Sequence, residues 1–196
     1  CGPGGVTIGD AHFTDDSTTG GVTVVAQNAI PSWGAALNFG TSPSDDALES
    51  VMQSIRWSST PAPVAVTLGG LTRGAMYRLQ LLFHEAAGIH LFTHVQLSLM
   101  APRVYELTFV RTFLYLGMLL AGFDILVDNI KIVQAYSPQV EQGGMTEENR
   151  PGAVVVYEFT AAASGVVSIE LASTADDEAF ADDNPILNAF TLEQLY

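Results

Sequence analysis

Apolar and polar residues alternate along much of this chain, and a two-residue period is what a β-strand with one buried face requires. In MYRLQLLFHE, Tyr77, Leu79, Leu81 and Phe83 fall on one side while Arg78, Gln80 and His84 fall on the other. PVAVTL (63–68), GAVVVYEFTA (152–161) and GVVSIELAS (165–173) are further strand-forming runs, set apart by Gly- and Ser-containing turns. FDILV and IKIV flank Asp128-Asn129, a pair that tolerates positive φ and so predicts a two-residue hairpin turn. The closing LNAFTLEQLY alternates imperfectly, with Leu187, Ala189 and Thr191 against Phe190, Leu192 and Leu195. Near the N-terminus two short apolar segments, VTI (6–8) and VTVVAQ (22–27), are bracketed by CGPGG and TDDSTTGG, which predicts an arm with strand-forming pieces.

One stretch has the helical period instead. Leu48, Val51, Met52 and Ile55 recur at i, i+3, i+4 and i+7, predicting a helix over 46–55 with Ser44 and Asp45 as capping candidates. Many short strands and one small helix predict an all-β fold, a jelly-roll β-sandwich. An N-terminal arm over 1–34 precedes a jelly-roll domain over 35–196, which carries an inserted β element at 88–121.

That insertion is the oiliest part of an acidic chain. Its longest run without Asp, Glu, Lys or Arg extends from Ala86 to Pro102, short of the roughly 20 residues a membrane helix needs, and Arg103, Glu106 and Arg111 interrupt the remainder. Period two fits better: Leu91, Val95, Leu97 and Leu99 oppose His94, Gln96 and Ser98, and Tyr105, Leu107 and Phe109 oppose Glu106 and Thr108. No transmembrane span is expected.

Several segments together resemble the galactose-binding-like, malectin-like jelly-roll domains of secreted and cell-surface proteins. They are NFGTSPSDDALESVMQSIRW (38–57), LTRGAMYRLQLLFHE (71–85), FDILVDNIKIV (123–133), GAVVVYEFTA and DDNPILNAFTLEQL (182–195). The resemblance implies an extracellular or cell-surface location and a carbohydrate-binding role. Three features depart from it. Arg73 stands where the turn often has Pro, the N-terminal arm is outside the pattern, and about 34 residues separate strands that a short loop usually joins. That insertion reads either as an added β element or as an error in how the sequence was inferred.

Composition narrows the function. Charged residues make up 14% of the chain and apolar ones 48%, against about 25% charged in an average soluble domain. Less surface than usual suits water, so lipid or other protein chains are expected to cover part of it. The formal charge is -14 with only 7 Lys and Arg, which argues against nucleic acid, whose phosphates need clustered bases. Cys1 is the sole cysteine and excludes an intrachain disulfide. It reads as the start of the ordered part or as the lipid-modified residue of a mature lipoprotein.

No GxSxG elbow, HExxH, CxxC or GxxxxGK motif occurs, and no enzyme is expected. His90 and His94 would be about 13 Å apart on a strand, too far for one ion. The densest chemistry is DDEAFADDN: Asp176, Asp177, Asp182, Asp183 and Asn184 offer the hard oxygen atoms Ca²⁺ takes, with Asp15-Asp16 able to join, though a solvated acidic loop explains them as well. For a sugar, Trp33, Trp57 and Tyr136 are candidate aromatic platforms, with Tyr115 a fourth, and each competes with a place in the core.

Two functions are consistent with these features. The first is a non-catalytic structural subunit of an extracellular filament or surface layer, whose copies bind one another by β-strand donation. The arm would contribute Val22, Val24, Val25 and Ile30, and the insertion Leu91, Val95, Leu97, Tyr105, Leu107 and Phe109. The alternative is a carbohydrate-binding module of a cell-surface protein, Ca²⁺-dependent if the acidic loop serves as a site.

Overall fold

The computed structural model describes residues 5–15, 19–34, 37–86, 122–143, 151–173 and 182–196. In chain order the strands are β1 (Val6–Ile8), β2 (Ala11–Phe13), β3 (Val22–Val25), β4 (Asn28–Ile30), β5 (Ile55–Trp57), β6 (Val64–Gly69) and β7 (Met76–Phe83). They continue with β8 (Phe123–Val127), β9 (Ile130–Tyr136), β10 (Ala153–Thr160), β11 (Val166–Ser173), β12 (Ile186–Leu187) and β13 (Ala189–Gln194). Helix α1 (Pro43–Met52) lies between β4 and β5, and the single turn α2 (Pro138–Glu141) follows β9.

A five-stranded sheet ordered β3-β6-β11-β8-β9 and a three-stranded sheet ordered β10-β7-β13 supply most of one shared core. From β6 the chain crosses to β7, returns for the β8-β9 hairpin, crosses again to β10 and returns to β11, so the two sheets turn apolar faces into the gap. The alternating residues of β7 do this as expected: Tyr77, Leu79, Leu81 and Phe83 are buried. Val64, Val66 and Leu68 of β6, Phe123, Ile125 and Val127 of β8, and Val167, Ile169 and Leu171 of β11 meet Leu79, Leu81 and Phe83 from the other sheet. Phe83, Phe123 and Tyr136 close one end of the core, with ring centroids 5.0 to 5.8 Å apart. The all-β sandwich is therefore built on the period-two pattern.

The hairpin between β8 and β9 turns at Asp128 (φ 48°) and Asn129 (φ 63°), and the Asp128 side chain accepts from Ser168 N–H at 2.9 Å. The helix begins earlier than its periodicity suggests. Ser42, not Ser44, is the N-cap: its Oγ accepts from Asp45 N–H at 3.2 Å, and Asp45 Oδ2 accepts from Ser42 N–H at 2.9 Å. The Ser42 N–H, with its hydroxyl beside it, holds the Asp45 carboxyl below its ordinary range. Pro43 fits the first turn, where no N–H is needed, and Ile55 lies beyond the helix in β5, buried in the core.

Two strands of the N-terminal segment pair within the chain. β3 pairs with β6 through Val22↔Leu68 and Val24↔Val66, and β4 pairs with β5 through Ile30↔Ile55. A strand whose alternate residues are apolar finds its complement in the nearest open edge, and here that edge belongs to its own chain. Residues 88–121, with the six interface candidates Leu91, Val95, Leu97, Tyr105, Leu107 and Phe109, lie outside the described residues, as do Cys1, Tyr115, His90 and His94. Among the described residues no helix is long and apolar enough to cross a membrane.

Candidate ligand-binding cleft

The structure distributes the candidate residues rather than gathering them. Trp33 and Trp57 are half-buried against the core and Tyr136 is within it. Their rings pack on protein instead of forming one exposed platform. Trp33 Nε1, Trp57 Nε1 and Tyr136 Oη are buried without a hydrogen-bond partner among the described residues. Burial, reinforced by the charge of Glu141, pushes the Tyr136 hydroxyl well above its ordinary range.

Asp176 and Asp177 lie outside the described residues, while Asp182, Asp183 and Asn184 bind protein groups. Asn184 Oδ1 accepts from Thr60 N–H at 3.0 Å, Asp183 accepts from the Thr60 hydroxyl, and Asp182 Oδ1 accepts from Asn184 N–H at 3.0 Å. These contacts tie the acidic loop to the loop between β5 and β6. Among the described residues no group of three His, Cys, Asp or Glu side chains is placed to hold a metal ion.

Of the arm residues, Val22, Val24 and Ile30 pack against the core, whereas Val25 is 60% exposed. Val22 and Val24 also line a cleft of about 420 Å³. This is within the size range of small-molecule sites. β3 and β13 are edge strands of the two facing sheets, and both contribute to it, together with the β2 hairpin strand and Val51 of α1.

Two kinds of group line this space. Phe13 and Phe190 supply aromatic rings, with Val22, Val24 and Leu192 beside them. Asp10, His12, Asp15, Gln80, Thr191 and Glu193 supply polar atoms. Several of these are already oriented. His12 Nδ1 is 2.9 Å from Thr7 Oγ1. Thr191 Oγ1 donates to Gln80 Oε1 at 3.0 Å, and Arg78 reaches Glu193 at 3.4 Å. Carboxylates, an imidazole, an amide and a hydroxyl next to aromatic faces can bind a molecule that presents both hydroxyl groups and C–H surfaces.

Sequence reasoning missed this site because it sought large aromatics, and the cleft uses phenylalanines on strands remote in sequence. The available signal was Phe13 in DAHFTDD, an apolar ring set among acids in a segment too short to form a core.

No family model matches the chain, and no curated protein matches it. Its fold does match solved structures. The extracellular domain of ANXUR2 from Arabidopsis thaliana has a TM-score of 0.52 at 11% identity, covering 79% of this chain and 35% of that one. The ANX2 ectodomain from the same plant has a TM-score of 0.52 at 11% identity, covering 90% and 40%. A chain in the crystal structure of plant peptide RALF23 in complex with FER and LLG2 has a TM-score of 0.53 at 12% identity, covering 92% and 42%. The chain thus spans well under half the length of these structures. At such identities the likeness is one of fold: an all-β sandwich shared with these extracellular domains.

Proposed function

We propose that this protein is a non-catalytic, extracellular recognition module that binds a neutral oligosaccharide in the cleft between the β3 and β13 edges. The observation that carries the reading is the placement of Phe13 and Phe190 beside Asp10, His12, Gln80, Thr191 and Glu193. A pyranose ring has one apolar C–H face and a rim of hydroxyls. The phenyl rings take the face, and carboxylate and amide oxygens accept from the rim. Neutral sugars fit best, because Asp10, Asp15 and Glu193 on a chain of charge -14 repel sulfated or uronic-acid polymers. Extracellular location is supported by the fold relatives, which are extracellular domains. The fold also occurs in a ligand-bound assembly, the complex that contains RALF23, FER and LLG2.

The filament reading has less support. Strand donation needs a strand looking for an edge, and β3 is paired within its own chain. The test is a glycan array probed with the purified chain, followed by Phe13→Ala and Glu193→Gln. Retention on neutral oligosaccharides, weakened about tenfold by loss of the ring, supports the proposal. Binding confined to acidic glycans, or unaffected by both substitutions, contradicts it.

A further inference from the structure

The sandwich has four free strand edges among the described residues, and three of them carry features that discourage pairing. β3 is four residues long. β9 carries Lys131, register irregularities and a positive φ at Ala135. β13 carries Glu193 and Gln194 and lies along the cleft.

β10 shares with them only a single acid. Its eight residues run in unbroken register with β7 from Ala153↔Phe83 to Thr160↔Met76, without Pro, Gly or Lys. Val154 and Val156, on its outward face, are 50% and 54% exposed. Its one acid, Glu158, is held by Arg78 through Nε at 3.0 Å and Nη2 at 2.9 Å. On a chain of charge -14, this one acid is offset in part by Arg78, which also reaches Glu193, and the rest of the edge is uncharged.

We propose that β10 pairs antiparallel with β10 of a second copy, so that two three-stranded sheets become one six-stranded sheet across a two-fold axis. A second copy is the occupant because the edge is self-complementary in one register. With Val155 opposite its own counterpart, Val154 lies opposite Val156 of the other copy twice over, joining four exposed valines on one face. In that register Glu158 falls opposite Gly152 instead of another acid, so no like charges meet. The main-chain groups along the β10 edge gain partners, as in strand addition. The interface is isologous and closes on itself, giving a dimer and not a filament. It leaves the cleft at β13 open, because β10 and β13 are opposite edges of their sheet.

Sedimentation velocity on the full chain tests this, with a reductant present so that Cys1 does not crosslink copies. A concentration-dependent monomer–dimer equilibrium is expected. It should tighten as salt rises to about 150 mM and screens the net charge. Val156→Lys should weaken it on the order of 100-fold, since two ammonium groups enter the valine cluster. Ile130→Lys, at a 62% exposed site on β9, should leave it unchanged, and near-UV circular dichroism confirms that each variant is folded. A chain that stays monomeric at hundreds of micromolar overturns the proposal, including where β10 captures a foreign extended peptide instead. So does a dimer unaffected by Val156→Lys, or one broken by Ile130→Lys.

Discussion

Asn188 Oδ1 accepts a 2.7 Å hydrogen bond from the main-chain N–H of His84, joining the end of β7 to the break between β12 and β13. The Asn188 amide also donates to the carbonyls of Met52 at 2.7 Å and Ser54 at 3.2 Å. One fully buried side chain thereby ties the end of α1, the start of β5 and the second sheet together. Asn188→Ala would strip partners from one N–H and two carbonyls, and a loss of about 3 kcal/mol is expected in urea unfolding. A loss below about 1 kcal/mol would mean the site relaxes or admits water.

Gln142 plays the matching part on the other side of His84. Its Oε1 accepts from Glu85 N–H at 3.0 Å, and its Nε2 is 2.8 Å from His84 Nδ1 and donates to Pro151 O at 3.0 Å. Gln142→Leu keeps the bulk and removes all three bonds. It should cost about 2 to 3 kcal/mol by the same measurement, and hydrogen exchange at Glu85 should accelerate.

Tyr136 gives an alkaline signature. Its hydroxyl titrates higher in the folded protein than in the unfolded chain, whose value is 10.0. The unfolded state ionises first, so stability falls as pH rises past 10. Tyr136→Phe should remove this alkaline loss. At neutral pH it should be neutral or stabilising, because Oη has no partner among the described residues. Thermal melts from neutral pH to values above 10 check both statements, and a strongly destabilised Phe variant would contradict them.

Asp45 gives the acid counterpart. Its carboxyl is held below the ordinary value of 3.8 by the Ser42 N–H. The stabilisation it contributes is complete above that value and disappears as pH falls through the lower, folded one. Ser42→Ala should cost about 1 kcal/mol of stability. The difference between wild type and Asp45→Asn should vanish on acidification.

The turn at Asp128-Asn129 marks the boundary between the legible and the illegible parts of the chain. Positive φ at both positions follows from the residue types, so Asn129→Val should cost about 1 to 2 kcal/mol, while Asn129→Gly should be tolerated. β7, β10 and β11 were readable for a similar reason, because a strand with one buried face writes its period into its own residues. Most three-residue strands leave no such trace, VTI of β1 being the exception. β4 and β5 are set by partners distant in sequence, as Ile30↔Ile55 and Trp57↔Ile186 show. The helix boundary shifted because Pro43 and the Ser42–Asp45 pair determine its start, whereas periodicity reports only its buried side. The cleft was least readable: Phe13 and Phe190 stand 177 positions apart, and only folding brings them to one space.

Chemical-shift mapping of the isotope-labelled chain during titration with neutral oligosaccharides addresses the proposed site most directly. Saturable shifts are expected at residues 10–15, at Gln80 and at residues 189–193, lost in Phe13→Ala. Shifts centred on the indole N–H groups of Trp33 and Trp57, or a spectrum that no neutral sugar alters, would contradict a sugar site in this cleft.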